Sequence, residues 1–226
     1  ILAFRRLRGK GQDMIAILDY DAGNIKSVEK ALNHLGQETI LTRNFHEILR
    51  ADKVILPGVG CFGDAMAHLK KYDLDRAIRE VVAEKKPFLG ICLGLQLLFE
   101  ASQETEGVEG LGILKGQCLR IPETEGLKIP HIGWNSLDFP SEGRLFSGIS
   151  EGAYVYFVHS YYLQAEDPSI VKATCQYGVQ IHASVAKDNV FDCQFLPEKS
   201  GEVGLALLQN FADLYEIGSV RIYVKQ

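Results

Sequence analysis

Short, wholly apolar runs alternate with amphipathic segments over the first hundred residues of this chain. The runs MIAILDY (14–20), KVIL (53–56) and PFLGI (87–91) are predicted to be strands buried on both faces. Between and after them, helical spacing of apolar residues occurs in IKSVEKALNHLG, in residues 64–70, in LDRAIREVVAEK and in LGLQLLFEA. The pattern therefore predicts a three-layer α/β fold, with helices on both sides of a central, mostly parallel sheet.

From about Lys115 the pattern changes to short strand-like runs separated by Gly, Pro and Asn, which predicts an added β-rich segment. A last amphipathic helix is predicted over about residues 202–214. No linker or repeat divides the chain, so we expect one domain over residues 14–214. Residues 1–13 carry four basic side chains and lack the apolar core of a signal peptide, and we expect a disordered N-terminal extension there. Residues 215–226 form a C-terminal tail, for which the sequence allows either a strand or a disordered tag.

The charge and the cysteines narrow the class of function. A net charge of −5 and a pI near 5.7 give no electrostatic reason to expect nucleic acid or an anionic membrane as a partner. No apolar run approaches the roughly 20 residues of a membrane helix. The five cysteines show neither a C-x-x-C pair nor metal-ligand spacing, which favours a reducing cytoplasm and no metal site. We expect small-molecule or protein partners.

The stretch GICLG (90–94) lies where an apolar strand meets a helix, in the pattern glycine-x-nucleophile-x-glycine. The tight turn requires glycine on both sides, and it lifts Cys92 to a helix N-terminus that favours the thiolate. The backbone amide of Leu93 would face a developing oxyanion. The alternative is a buried structural cysteine. A second loop, PGVGCFGD from Pro57, follows another buried strand and can offer amides at the same sheet edge, unless it is a plain tight turn.

A cysteine nucleophile needs a base and a group that orients the base. Three histidines lie on predicted helices or a helix-rich surface, where we expect them to be solvated, and three lie in the β-rich half, where a structural role is the commoner one: His34, His46 and His68, then His131, His159 and His182. In QFLPEKS (194–200), Glu198 could orient an imidazole or could be a solvated surface charge. Leu196 is an unexpected apolar residue in a turn of proline, glutamate, lysine and serine.

Together these motifs resemble the class I glutamine amidotransferases, and within them the glutaminase subunits of imidazole glycerol phosphate synthase. The resemblance covers residues 14–212, in the segments DYDAGNIKSVEKAL, LPGVGCFGDAM, GICLGLQLLFE, PHIGWNSL, YFVHSYY and QFLPEKS. It implies that Cys92 attacks the side-chain amide of glutamine, forms a thioester and releases ammonia. It also implies a heterodimer with a cyclase whose (β/α)8 barrel receives the ammonia through a tunnel, and no cofactor.

The resemblance also implies roles for individual residues. The amides of Leu93 and of the segment Gly58, Val59 and Gly60 would form the oxyanion hole, the latter after a backbone flip triggered by the partner. The two ends of glutamine would be held by Gln96, His159, Ser160 and Tyr161, and the cyclase side would include Asn24 and Trp134. The alternatives are that Trp134 is a core residue and that Gln96 lies on a helix surface.

Leu196 departs from the motif QFHPE of the family, in which the histidine is the general base and the glutamate orients it. Cys92 then lacks a proton acceptor. By analogy with catalytic triads that have lost one member, we expect turnover to fall on the order of 10³ to 10⁶-fold. The apolar side chain also disfavours the thiolate. We therefore expect a protein that binds glutamine and hydrolyses it very poorly.

Three explanations of Leu196 compete: a substitution in a glutaminase that is otherwise normal, a pseudoenzyme that still binds its cyclase, or rescue by another base such as His159 or His182. We favour the first, because Cys92, Gln96 and Glu198 remain. Outside the family, the chain could be a cysteine hydrolase of the same elbow fold or a non-catalytic binding subunit. Gln96 together with HSYY suits a free amino acid better than a peptide.

Overall fold

The computed structural model describes residues 13–215. Most of the predicted N-terminal extension and C-terminal tail, residues 1–12 and 216–226, lies outside the described residues. Within the described part, the strands are β1 (Met14–Leu18), β2 (Glu38–Thr42), β3 (Lys53–Leu56), β4 (Phe88–Ile91), β5 (Ala101–Ser102), β6 (Gly116–Arg120), β7 (His131–Ser136), β8 (Tyr154–His159), β9 (Tyr161–Ala165), β10 (Val171–Tyr177), β11 (Val179–Lys187) and β12 (Val190–Cys193). The helices are α1 (Ile25–His34), α2 (Phe45–Arg50), α3 (Phe62–Lys71), α4 (Leu74–Ala83), α5 (Leu93–Leu97) and α6 (Gly201–Ala212).

A seven-stranded sheet forms the centre of the molecule, in the order β10-β11-β12-β4-β3-β1-β2. The five strands from β12 to β2 are parallel, and β11 pairs antiparallel with both of its neighbours. The β-rich segment adds a three-stranded sheet, β5-β6-β9, and an antiparallel pair, β7-β8. The prediction of an α/β fold with a mostly parallel sheet and an added β-rich segment is confirmed.

The two faces of the sheet are covered by separate hydrophobic layers. In β1, Ile15 and Ile17 point into the layer that holds the buried faces of α1 and α6, whereas Ala16 and Leu18 point into the layer of α2, α3 and α4. All four side chains are fully buried. A strand covered on both faces is apolar at every position, which is why the runs at β1, β3 and β4 could be recognised in the sequence.

Three elements, β2, α2 and the short β5, are missing from the sequence analysis, and one predicted helix is too long. β2 lies at the sheet edge with only Thr42 buried, so it carries no continuous apolar run, and α2 is a short helix of six residues that buries Ile48. The predicted helix after the elbow ends at Leu97. The amides of Leu98 and Phe99 bond to carbonyls three residues back, which tightens the last turn before the chain enters β5.

The carboxyl ends of four neighbouring parallel strands bring the predicted site segments together. The loop after β1 carries Asn24, the loop after β3 carries Gly58 to Gly60, β4 leads into Cys92, and β12 leads into Gln194 to Glu198. Parallel strands end at the same sheet edge, so all four loops meet there. The topology therefore places a candidate site at this edge.

The carboxyl group of Asp192, in β12, is fully buried. Its Oδ1 accepts a hydrogen bond of 2.9 Å from the amide of Val185, and no described residue donates to its Oδ2. Burial raises the pKa of Asp192 well above its usual range, because the ionised form would lose its hydration. The acid therefore makes folding depend on pH.

Asp192→Asn is expected to remove this pH dependence. The pKa of Asp192 is higher in the folded protein than in the unfolded chain, so the contribution of the acid to stability is fully present below pH about 4. As the pH rises toward the folded-state pKa, this contribution is lost at about 1.4 kcal/mol per pH unit. The variant keeps an acceptor for the Val185 amide. In urea denaturation between pH 4 and 7, the free energy of unfolding of Asp192→Asn should increase steadily relative to that of the parent as the pH rises. A difference that stays constant over this range would show that Asp192 ionises as readily in the folded protein as in the unfolded chain.

Candidate active site

The turn between β4 and α5 holds Cys92 in a backbone conformation that an L-residue rarely adopts, with φ 54° and ψ −107°. Its amide donates to the carbonyl of Cys193 at 2.7 Å, so the turn is tied to the end of the neighbouring strand. A Cβ atom on Gly94 would lie 1.8 Å from the carbonyl oxygen of Leu56, and one on Gly90 would lie 3.0 Å from the backbone of Gly94. Packing therefore requires glycine on both sides of the cysteine, as the sequence predicts.

Cys92 opens into a cavity of about 510 Å³ at the sheet edge. The cavity brings together most of the residues singled out in the sequence. Those that line it are Asn24, Val59, Gly60, Cys92, Leu93, Gln96, His159, Ser160, Tyr161 and Leu196, with Glu104, Pro130, Val158 and Lys199. Gly58 and Glu198 lie directly behind the lining, whereas Trp134 lies outside it. A larger cavity of about 970 Å³ beside α6 is lined by no cysteine or histidine.

The thiol of Cys92 is buried. The side-chain amide of Gln194 donates to its Sγ at 3.7 Å, and the carbonyl oxygen of Val158 lies 3.9 Å away. Burial raises the pKa of Cys92 to about 12, and the charge of Glu198 adds to this, whereas the Leu93 amide and Gln194 act in the opposite direction. The amide of Leu93 at the N-terminus of α5 favours the thiolate in direction, as expected from the sequence, but the loss of hydration on burial is the larger effect.

The amide of Leu93 is occupied by a carbonyl group of the protein itself. It donates to the carbonyl oxygen of Gly58 at 3.2 Å. An oxyanion on a substrate would need this same donor. A Cβ atom on Gly58 would lie 2.0 Å from the hydroxyl of the buried Tyr20, so any other residue there would displace Tyr20 from its hydrogen bond to the carbonyl of Pro57. The donor becomes available only if the Gly58 carbonyl turns away.

Leu196 lines the cavity together with Cys92, and Glu198 bonds to the lining residue Asn24. The side chain of Leu196 is only 1% exposed, so it is packed as a core residue. Oε1 of Glu198 accepts a hydrogen bond from the side-chain amide of Asn24, while its Oε2 is buried and has no hydrogen-bond partner in the described chain. Burial also raises the pKa of Glu198. A buried carboxylate oxygen without a hydrogen-bond donor lowers the stability of the folded protein. The oxygen in this state belongs to Glu198, two positions after Leu196 in the sequence.

Neither histidine named as a substitute base offers a free ring nitrogen to Cys92. His159 lines the cavity, but its Nε2 lies 3.0 Å from Nδ1 of His131 and its Nδ1 lies 2.9 Å from the carbonyl oxygen of Tyr161. Burial lowers the pKa of His159 to about 3. His182 does not line the cavity, and its Nδ1 accepts from the amide of Ala165. The geometry thus gives no support to rescue by another base.

Two further residues of the site are absent from the sequence analysis. Gln194 is completely buried, donates to Cys92 Sγ and accepts a hydrogen bond of 3.1 Å from Gln96. Its only signal is its place in the segment that also holds Leu196. Glu104 lines the cavity and accepts from the amide of Phe62 at 2.7 Å. It lies in a polar stretch that reads as a solvated loop, so its sequence gives no signal at all.

The structure decides two of the alternatives left open above. Gln96 is 5% exposed, which excludes a helix-surface position, and both of its amide hydrogens are used inside the site, by the carbonyl of Tyr161 and by Gln194. Trp134 is 55% exposed, which excludes a core position. No described helix is long and apolar enough to cross a membrane.

Comparison with known proteins is consistent with this geometry. The sequence model of the family "Glutamine amidotransferase class-I" matches residues 16–214. Proteins named "Imidazole glycerol phosphate synthase subunit HisH" are 51% identical over 203 residues in Bacillus cereus (strain G9842), covering 90% of this chain and 96% of the relative. The protein of that name in Methanocaldococcus jannaschii is 47% identical over 201 residues, covering 89% of this chain and 100% of the relative.

Solved structures of lower sequence identity share the fold. The structure of PurLQS from Thermotoga maritima superposes with a TM-score of 0.68 at 21% identity, covering 89% of this chain and 98% of that chain. A glutamine amidotransferase from Thermotoga maritima gives a TM-score of 0.60 at 16% identity, with 90% of this chain and 84% of that chain covered.

Alkylation of Cys92 by iodoacetamide should be slow at neutral pH and should rise with pH. With a pKa of about 12, the thiolate fraction grows about tenfold per pH unit. Mass spectrometry of the Cys92 peptide between pH 7 and 9 measures the rate, and the exposed Cys61 in the same protein serves as a reference for the reagent. A rate that reaches a plateau below pH 9 would mean that the thiol ionises in the ordinary range.

Gly94→Ala should destabilise the fold by about 3 kcal/mol or more, because the new methyl group overlaps the backbone carbonyl of Leu56. Gly36→Ala is the matched control: its φ is also unfavourable for alanine, at 74°, but nothing lies within 4 Å, and we expect a cost of about 1 kcal/mol. Urea denaturation compares the two. Equal losses would show that the elbow accommodates a side chain.

Proposed function

This chain belongs to the class-I glutamine amidotransferase family, and on that premise we propose that it is the glutaminase subunit of an imidazole glycerol phosphate synthase in histidine biosynthesis. Relatives of that name match about nine-tenths of the chain at about half identity. The observation that carries the proposal is the strained elbow, which places Cys92 in one cavity with Gln96, His159 and Tyr161. A cytoplasmic location is part of the proposal.

The cavity suits glutamine as a free amino acid. Glu104 offers a carboxylate for the α-ammonium group, and the polar segment Ser160–Tyr161 offers backbone groups for the α-carboxylate. The amide hydrogens of Gln96 are already used, which leaves its Oε1 to accept from the substrate. With its two ends held in this way, glutamine would present its side-chain amide to Cys92.

The reaction requires two proton transfers. Sγ of Cys92 attacks the amide carbon, the thiol proton is accepted by a base, and the nitrogen must gain a proton to leave as ammonia. Water then hydrolyses the thioester to glutamate. In this chain the base position holds Leu196, and Oε2 of Glu198 has no partner among the described residues while its Oε1 accepts from Asn24. We therefore propose that glutamine binds and is hydrolysed very poorly.

The oxyanion hole is part of the same proposal. Leu93 can stabilise the tetrahedral intermediate only after the Gly58 carbonyl has turned away from its amide. Val59 and Gly60, which line the cavity, would then present their own amides. A backbone rotation of this kind suits a signal from a partner, because it needs no new side chain and changes only which group faces the cavity.

The partner is proposed to be a cyclase with a (β/α)8 barrel, in a heterodimer. The β7-β8 pair carries three large exposed side chains on one face: Ile132, Trp134 and Tyr154 are each more than half exposed, and Trp134 pairs directly with Tyr156. Apolar and aromatic patches of this kind mark protein interfaces. Asn24 and Lys199 line the cavity, and the side-chain amide of Asn24 donates to Glu198.

A second candidate function is a non-catalytic protein that binds the cyclase and holds glutamine without turnover. The observation that favours it is the full burial of Leu196, which is packed into the core beside Cys92. The third candidate, a cysteine hydrolase acting on other acyl groups, is disfavoured by Gln96 and Glu104, which suit the polar ends of a free amino acid.

Leu196→His should raise glutaminase turnover by about 10³-fold or more, because the imidazole supplies the missing proton acceptor and gives Glu198 Oε2 a donor. Glutamate release is measured with and without an excess of the cyclase and its ligand. Leu196→Asn is the matched control: it is polar and of similar size, but it cannot act as a base, and it should stay near the parent rate.

Glu198→Gln in the Leu196→His background should remove much of that gain, since the imidazole would lose its orienting carboxylate. High turnover by the unmodified chain would refute the assignment of Leu196 as the defect. A Leu196→His variant that stays inactive while still binding glutamine would instead favour the non-catalytic protein.

A further inference from the structure

A continuous chain of buried and partly buried hydrogen bonds runs from strand β7 to the thiol of Cys92. It begins at the side chain of Asn135, the neighbour of the exposed Trp134. The links are Asn135 Nδ2 to His131 Nε2 (3.4 Å), His131 Nδ1 to His159 Nε2 (3.0 Å), His159 Nδ1 to Tyr161 O (2.9 Å), Gln96 Nε2 to Tyr161 O (3.0 Å), Gln96 Nε2 to Gln194 Oε1 (3.1 Å) and Gln194 Nε2 to Cys92 Sγ (3.7 Å).

The histidine part of the chain has one consistent set of proton positions. The carbonyl of Tyr161 can only accept, so His159 must carry its proton on Nδ1 and accept on Nε2. His131 then donates through Nδ1 and accepts from Asn135 through Nε2. Both imidazoles are neutral in this arrangement, which suits their burial among Phe157 and Tyr177, whose rings stack on His131.

The glutamine part fixes which end of Gln194 faces the cysteine. Gln96 has two amide hydrogens, and both are used: one on the Tyr161 carbonyl, which is itself held by His159, and one on Gln194 Oε1. Gln194 must therefore turn its own amide hydrogens toward Cys92. The opposite orientation would place two donors against each other at Gln96 and would aim a carbonyl oxygen at the sulfur.

We propose that Gln194 is a positioning residue for the nucleophile, and that the chain through Gln96, Tyr161 and His159 holds its amide in the donor orientation toward Cys92. A donor at the sulfur stabilises the thiolate relative to the thiol and fixes the direction of the Sγ atom. Gln194 is completely buried and belongs to the same segment as Leu196, so it is the donor that remains beside the sulfur when the general base is absent. The proposal rests on the proposed role of Cys92 as nucleophile and is independent of the identity of the substrate.

The test is the rate of Cys92 alkylation by iodoacetamide at fixed pH, read by peptide mass spectrometry in the full chain. Gln194→Met keeps the length of the side chain and removes the donor, and we expect an alkylation rate about tenfold lower, as for a lost hydrogen bond to a charged group. His159→Leu should give a similar loss, whereas His159→Asn keeps a donor near the position of Nδ1 and should remain within about threefold of the parent.

The double variant separates a relay from a structural effect. If His159 acts through Gln194, then His159→Leu should cause no further slowing in the Gln194→Met background. The proposal would be overturned if the double variant were slowed by the product of the two single-variant factors, or if Cys92 of Gln194→Met reacted as fast as in the parent. Labelling of the buried Cys118 reports unfolding, and Gln194→Leu replaces Gln194→Met if the latter is unfolded by that criterion. Because these rates require no turnover, a failure of Leu196→His to restore glutaminase activity would leave them interpretable.

Discussion

The strained turn at Cys92 is the constraint on which the site depends. An L-residue at φ 54° persists only where its surroundings hold it. Here it is held by the hydrogen bond from the Cys92 amide to the carbonyl of Cys193 and by the close packing that the absence of Cβ atoms at Gly90 and Gly94 allows. The same packing brings β4 against β3 and β12, whose loops supply Gly58 and the segment of Leu196. The fold thereby places a sulfur atom, an oxyanion donor and the position of a base within one cavity.

Leucine at position 196 suits the packing of the core but not the chemistry expected of the site. As a core residue Leu196 is well accommodated, since it is buried among apolar neighbours on the cavity wall. Two groups beside it bear on the chemistry: Oε2 of Glu198 has no described partner, and burial raises the pKa of the Cys92 thiol to about 12. The groups proposed to hold glutamine, Gln96 and Glu104, keep hydrogen bonds that do not involve Leu196. Binding and turnover are therefore expected to respond differently to it.

Much of the fold and of the site was predictable, because both depend on local patterns. Buried parallel strands are continuously apolar, so β1, β3 and β4 could be identified, and steric crowding makes the glycines around Cys92 diagnostic. β2 was missed because an edge strand needs no such run. Gln194 and Glu104 were missed because their roles arise from contacts between distant segments. The hydrogen bond from the Leu93 amide to Gly58 has no signal in the sequence, whereas the apolar Leu196 indicates only the direction of the Cys92 pKa shift, whose main cause is burial.

The most direct test of the account is to mix the unmodified chain with a stoichiometric amount of glutamine labelled with carbon-13 at the side-chain amide, and to follow that carbon by NMR. The account predicts that the signal broadens or shifts as glutamine binds beside Cys92 and then persists as glutamine, with or without an excess of cyclase. Prompt conversion to free glutamate would contradict it, because a functional proton acceptor would then exist despite Leu196.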